Sequence, residues 1–262
     1  MNRIDSCFAD LAQRGEKALM PYLTVGYPAL DSLPELVQAA RNAGADVIEL
    51  GVPFSDPVAD GPVIQQTSHA AIANGMTMTL ALKQIAGLPQ DDQAPALVVM
   101  TYTNLLLNHG YERFAAQAAE AGISAVIVPD MPVEASGELR AALEAQGLYQ
   151  IFLMTPNLSD ERLRTIARHA KGFIYLVSVL GTTGERDQLA DIGPFVERVR
   201  RFTDLPLAVG FGIGTPEQAR VMWQLAEGVI IGSALARRLA DPVEAATQAH
   251  HYLAGFKAGG RR

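Results

Sequence analysis

Three observations predict an α/β fold of the (β/α)8 TIM-barrel type, formed as a single domain over residues 1–262. Short β-branched runs alternate eight times with longer helical patterns, no composition break or low-complexity linker divides the chain, and 262 residues is a length this fold uses singly. A doubly wound dinucleotide fold is the weaker alternative, because no Gly-x-Gly-x-x-Gly follows the first strand.

The elements follow in order. An amphipathic N-terminal stretch (Ile4, Phe8, Leu11) is expected as an extra N-terminal helix covering the barrel floor. Strands are placed at Leu19 to Val25, Asp46 to Gly51, Ala96 to Thr101, Ser124 to Pro129, Leu148 to Met154, Phe173 to Ser178, Leu205 to Gly210 and Gly228 to Gly232, each ending in or beside a chain-turning or polar residue. Helical patterns lie between them at Ser32 to Ala43, Glu112 to Ala121, Glu134 to Gln146, Ser159 to Ala170 and Pro216 to Ala226. The unit after the second strand is longer and carries a second helical piece, Thr77 to Gly87. Asp160 and Glu161 enrich one first turn, and Thr215-Pro216-Glu217 reads as an N-cap followed by proline at the first helical position.

Composition narrows the function classes. A formal net charge of −7 argues against a nucleic-acid groove or an anionic membrane surface, and the dense basic run Arg198, Arg200 and Arg201 reads as a solvated helix end. The single cysteine, Cys7, rules out an intrachain disulfide and a thiolate metal cluster. With no signal-like apolar block and no segment of membrane-spanning length, the chain is expected to be cytoplasmic.

In this fold the site lies at the carboxyl ends of the strands. Glu49 alternates with Val47 and Gly51 on one face of the second strand, and the loop after it adds Asp56 and Asp60. A carboxylate at the end of an apolar strand is desolvated or paired, so its pKa is a candidate for elevation and its role for acid or base work. Against this, a strand-end Glu can anchor a loop, and Asp56 and Asp60 can cap turns beside proline and glycine. Gly210 to Thr215 leaves the seventh strand and Gly232-Ser233-Ala234 the eighth, where backbone amides can approach a phosphate. Gly181 to Gly184, followed by a polar stretch, reads as a lid.

What is missing counts too. The four lysines (Lys17 before strand 1, Lys83 in a helix, Lys171 before strand 6, Lys257 in the tail) fall away from the barrel top, which disfavours a Schiff-base aldolase. The five histidines (His69 and His169 in helical stretches, His109 in a loop, His250 and His251 near the C-terminus) lack the pairing a catalytic metal needs, so no metal is expected. There remains a phosphate-binding barrel whose acids and hydroxyls move protons. Such a site can break a carbon–carbon bond when the substrate itself stabilises the departing carbanion, as a heteroaromatic that tautomerises on protonation does.

Leu50 to Pro62 with Gln65, Met100-Thr101-Tyr102 with Asn104, Val128-Pro129-Asp130, Gly181 to Gly184, Gly210 to Ile213 and Gly232-Ser233 together closely resemble the tryptophan synthase alpha subunit family, over essentially the whole chain. The resemblance implies retro-aldol cleavage of indole-3-glycerol phosphate to indole and glyceraldehyde 3-phosphate, without metal or organic cofactor in this chain. It implies that Glu49 protonates indole C3, that Asp60 bonds the indole N–H, that Tyr175 orients Glu49 and that Thr183 holds Asp60 when the lid closes. Gly184, Gly212, Gly232 and Ser233 would bind the phosphate, and Tyr22, Met100 and Phe211 the indole. It further implies a pyridoxal phosphate beta subunit in an alpha2-beta2 assembly, docked on Pro53, Asp56, Pro57, Asn104, Asn108, Pro132 and Glu134. Tyr22 stands where Phe is common in the family, Leu105 where Pro is frequent, Thr182 where Val is usual and Gly214 where Ser is common. A stand-alone indole-releasing lyase and a non-catalytic allosteric partner remain as alternatives.

Overall fold

The computed structural model describes residues 2–177, 192–210 and 212–257. Eight parallel strands close into a barrel in sequence order: β1 (Ala18–Thr24), β2 (Val47–Gly51), β3 (Ala96–Met100), β4 (Ile123–Ile127), β5 (Tyr149–Met154), β6 (Ile174–Val177), β7 (Leu207–Gly210) and β8 (Gly228–Ile231). β8 returns to β1, with Ala18 opposite Gly228 and Pro21 opposite Ile231. Every strand expected from the sequence is present, with ends within two residues.

The helices are α1 (Arg3–Arg14), α2 (Leu33–Asn42), α3 (Pro62–Ala73), α4 (Met78–Ala86), α5 (Thr103–His109), α6 (Tyr111–Glu120), α7 (Gly137–Ala145), α8 (Asp160–His169), α9 (Gly193–Arg200), α10 (Pro216–Trp223), α11 (Ser233–Ala236) and α12 (Ala245–Lys257). Nearly every strand residue is buried, since one face meets the barrel interior and the other the helices. Alternation therefore sorts the side chains into two cores. Val47 of β2 joins Met20, Val98 and Phe173 in the interior, while Ile48 and Leu50 pack under the helices.

α1 closes the floor as expected. Ile4, Phe8 and Leu11 are buried against the interior core, and the Phe8 and Phe173 rings lie 5.9 Å apart. Asn2 starts this helix and also ties it down: its Oδ1 accepts the Ile4 N–H at 3.0 Å, and its Nδ2 donates to Ser124 O at 2.9 Å and Gly147 O at 3.0 Å. The cap expected at Thr215 is a full capping box with Gln218, with Pro216 in the first turn.

Several local expectations change. The pattern begun at Glu134 becomes helical only at Gly137, because 132–136 form a turn in which Ala135 N donates to Pro132 O at 3.0 Å and Ser136 Oγ to Val133 O at 2.7 Å. His109 is the last residue of α5 rather than a loop residue. Lys257 is not a free tail residue. It ends α12 and reaches under the barrel, with Nζ 3.0 and 2.8 Å from the two carboxylate oxygens of Asp46, one of which also accepts the Leu19 N–H at 2.9 Å.

Candidate active site

β2 carries Glu49 into the barrel mouth. Its neighbours Ile48 and Leu50 face the helices, so the period of two turns Glu49 inward, where it is 2 % exposed. Tyr22 on β1 and Val98 on β3 flank it in register. Asp60 arrives on the loop after β2 and is 5 % exposed. That loop is folded back on itself: Val58 N donates to Asp56 O at 2.9 Å, Asp60 N to Pro57 O at 3.0 Å, and Gln65 Nε2 of α3 to Asp60 O at 2.8 Å. Tyr102, just past β3, donates its hydroxyl proton to Asp60 Oδ2 at 2.9 Å.

Two glycines make room for the phenols of the site. A Cβ on Gly51 would collide with the Tyr22 hydroxyl, and one on Gly210 with that of Tyr175. Gly210 therefore opens space for a ring at its strand end, a different task from the phosphate loop its motif suggested. Both tyrosines are buried.

One cavity of about 690 Å³, counted with its open mouth, joins Glu49, Asp60, Tyr175, Tyr22 and Met100 to Gly212, Gly232 and Ser233. Ile64, Ile127, Leu153 and Ile230 make its apolar wall, and no lysine or arginine is among its described lining residues. Eight of the residues singled out in the sequence thus converge. Thr183, Gly184 and Phe211 lie outside the described residues. Tyr102 has no role in the sequence reading, where it only completes the run Met100-Thr101-Tyr102; its place two residues beyond an inward-facing strand end is the available signal.

Burial divides the two acids. Desolvation first, and the nearby Asp60 charge second, push the Glu49 carboxyl from its ordinary 4.5 up to about 8. Burial also lifts Asp60, from 3.8 to about 6, but the Tyr102 hydroxyl bond works in the opposite direction. Near pH 7 Glu49 is therefore mostly protonated and Asp60 mostly ionised. Two carboxyl groups in one cavity, held in opposite states, can donate a proton and receive a developing positive charge in the same event.

On the rim outside the cavity, Asp56, Asn104, Asn108, Pro132 and Glu134 are exposed, while Pro53 and Pro57 are buried. Glu134 is already ion-paired with Arg162. Among the described residues, no group of three or more His, Cys, Asp and Glu side chains converges, and no helix is long and apolar enough to cross a membrane.

A closed barrel whose mouth holds one protonated and one ionised carboxyl group beside a glycine rim is a (β/α)8 enzyme of the acid–base type. The family described as tryptophan synthase alpha chain matches residues 8–258. The chain is 48 % identical over 238 residues to a tryptophan synthase alpha chain of Geobacter sp. strain M21, covering 90 % of this chain and 89 % of that one. Among solved structures, a chain of Mycobacterium tuberculosis tryptophan synthase superposes with a TM-score of 0.91 at 34 % identity, covering 100 % of this chain and 99 % of that one. Tryptophan synthase subunit alpha of Legionella pneumophila strain Paris gives 0.88 at 34 % identity, covering 99 % and 98 %. The chain belongs to the tryptophan synthase alpha chain family, as the resemblance implied. That family consists of lyases acting on indole-3-glycerol phosphate.

Proposed function

We propose that this chain cleaves indole-3-glycerol phosphate to indole and glyceraldehyde 3-phosphate in tryptophan biosynthesis, with Glu49 as the proton donor and Asp60 as the anion that binds the ring N–H. The observation that carries the reading is the buried pair of acids, set in opposite protonation states within a cavity that also reaches Gly212, Gly232 and Ser233. Glu49 gives its proton to indole C3, and the ring becomes an electron sink. The bond from C3 to the glyceryl carbon breaks, and its electron pair enters the ring. The hydroxyl proton on that carbon passes to the Glu49 carboxylate and the aldehyde forms, so Glu49 ends as it began. Asp60, ionised, stabilises the positive charge that builds on the ring nitrogen.

Tyr22 and Met100 offer apolar surface to the indole, and the backbone amides of Gly212, Gly232 and Ser233 bind the phosphate. Tyr175 orients Glu49, a role supported by the Glu49 charge being, after burial, the first influence that raises the phenol's pKa. Thr183, Gly184 and Phe211 keep the roles that the resemblance implies: Thr183 holds Asp60, Gly184 binds the phosphate and Phe211 lines the indole pocket. No step in this scheme requires a metal or organic cofactor in the chain.

The reading extends to a beta subunit carrying pyridoxal phosphate, in an alpha2-beta2 assembly in the cytoplasm. The solved relative titled tryptophan synthase supports such a partner. The exposure of Asp56, Asn104, Asn108, Pro132 and Glu134 on one rim supports the docking face, and Val58 and Leu107, 76 % and 59 % exposed, add apolar surface there. Pro53 and Pro57 would shape that loop from beneath. The test is indole formation by the purified chain from indole-3-glycerol phosphate, with and without the beta subunit. Slow turnover alone and faster turnover with the partner are expected; no indole in either arm rejects the activity, and equal rates reject the coupling.

A further inference from the structure

Tyr102 stands where β3 passes into α5, and its hydroxyl is bound on both sides by the loop that follows β2. It donates its only proton to Asp60 Oδ2 at 2.9 Å and accepts the Ala59 N–H at 3.3 Å. Its ring lies 5.1 Å from that of Phe54, at the base of the same loop. The next residue anchors it further, because Thr103 N and Oγ1 both donate to Asp130 Oδ1, at 3.0 and 2.9 Å. The phenol therefore hangs from the junction of a strand and a helix, and Asp60 from a loop. Geometry passes from the more rigid partner to the less rigid one.

We propose that Tyr102 is a positioning residue for the cleavage: by holding Asp60 Oδ2 it fixes the plane of that carboxylate and reserves Oδ1 for the N–H of the substrate ring. The inference rests on the role given to Asp60 above. Among the described residues, Tyr102 is the side chain that donates to this carboxylate, so without it a group 5 % exposed would face the cavity with no donor to offset its burial. The bond also favours the ionised form that must receive the ring N–H, since it opposes the upward push of desolvation. The titratable groups around Asp60 are Glu49 on β2, Tyr22 on β1, Tyr175 on β6 and Tyr102 itself, with Asp130 of the β4 loop facing Tyr102. Burial holds all three phenols above their ordinary pKa, so near neutral pH Asp60 titrates alongside Glu49 alone among the described residues.

The experiment compares wild type, Tyr102→Phe and Asp60→Asn in the complex with the beta subunit, measuring kcat and KM for indole release from pH 5 to 9. Tyr102→Phe keeps the ring against Phe54 and removes only the hydroxyl. The expected result is a fall in kcat of about 10- to 100-fold, the scale of one hydrogen bond to a charged group, with KM changed less than about 3-fold. The acid limb of kcat/KM should move to higher pH while its alkaline limb stays. A 3-fluorotyrosine at 102, nearly the same size but a stronger donor, should move the acid limb the other way. An NMR titration of 13C-labelled aspartate, assigned with Asp60→Asn, should show a higher Asp60 midpoint in Tyr102→Phe. A wild-type kcat and acid limb in Tyr102→Phe, or a loss of the same size at every pH with an unmoved Asp60 midpoint, overturns the inference. Failure of the reading it rests on looks different: wild type then releases no indole, or Asp60→Asn keeps full activity.

Discussion

Replacing Glu49 by Gln should slow cleavage by orders of magnitude and at the same time stabilise the protein at neutral and alkaline pH. The side chain keeps its size and resembles the neutral acid, so the barrel mouth needs no repacking. What changes is that the amide never ionises. Folding raises the Glu49 carboxyl from 4.5 to about 8, and at about 1.4 kcal/mol per pH unit of difference burying this carboxyl, which the unfolded chain would leave ionised, costs roughly 3 kcal/mol of stability at pH 7 and up to about 5 above pH 8. The sign follows from proton binding. Between pH 4.5 and about 8 the folded state holds a proton that the unfolded chain has released, so stability falls as pH rises through that window. Below 4.5 both states are protonated and the contribution is fully retained. Asp60, lifted from 3.8 to about 6, adds a similar loss at lower pH, but wild type and Glu49→Gln share it. Urea unfolding of both proteins at pH 4, 6 and 8 isolates the Glu49 contribution as their difference. Glu49→Gln should be similar to wild type at pH 4 and more stable by about 3 to 5 kcal/mol at pH 8. Turnover should fall by roughly 10²- to 10⁴-fold through loss of the proton donor, while binding of glyceraldehyde 3-phosphate is retained. A stability difference that does not change with pH would show that Glu49 is not desolvated, and retained turnover would refute its role as the acid.

Two further outcomes are expected. In the complex with the beta subunit, kcat/KM should follow a bell, falling on the acid side as Asp60 is protonated near pH 6 and on the alkaline side as Glu49 loses its proton near pH 8; a flat kcat/KM from pH 5 to 9 would contradict the assigned pair. Lys257→Met should destabilise the fold by about 1 to 3 kcal/mol at pH 7, because Asp46 would keep the Leu19 N–H but lose the ammonium from a largely buried site. That deficit should shrink in acid, because burial already pushes the Asp46 carboxyl above its ordinary value and a protonated Asp46 no longer needs the ammonium, and thermal melts at pH 7 and pH 3 check it.

The strands were legible in the sequence because a barrel strand, buried on both faces, must be an apolar β-branched run stopped by a turn residue. Val47 to Gly51 and Gly228 to Ile231 are such runs, and both fall where they were expected. α3 and α5 were harder to read. The buried positions of α3 include Thr67 and Ser68 beside Ile64 and Ala71, because Thr67 Oγ1 meets Thr24 Oγ1 at 2.7 Å, and a hydroxyl turned inward does not look apolar in a sequence. α5 is only seven residues long and has no side-chain cap, so it carries little periodic signal.

Local chemistry thus settles a good deal before any folding is considered: where strands start and stop, which face of β2 bears Glu49, and which segments are glycine-rich enough for a backbone to approach a ligand. Contacts between distant positions settle the rest. The Asp60–Tyr102 bond joins residues 42 apart, and the Lys257–Asp46 pair joins residues 211 apart. The acidity of each carboxyl group depends on the water removed around it and on the charge and donor placed beside it. Those neighbours come from β2, its following loop and the end of β3, and closure of the barrel is what brings them to one point.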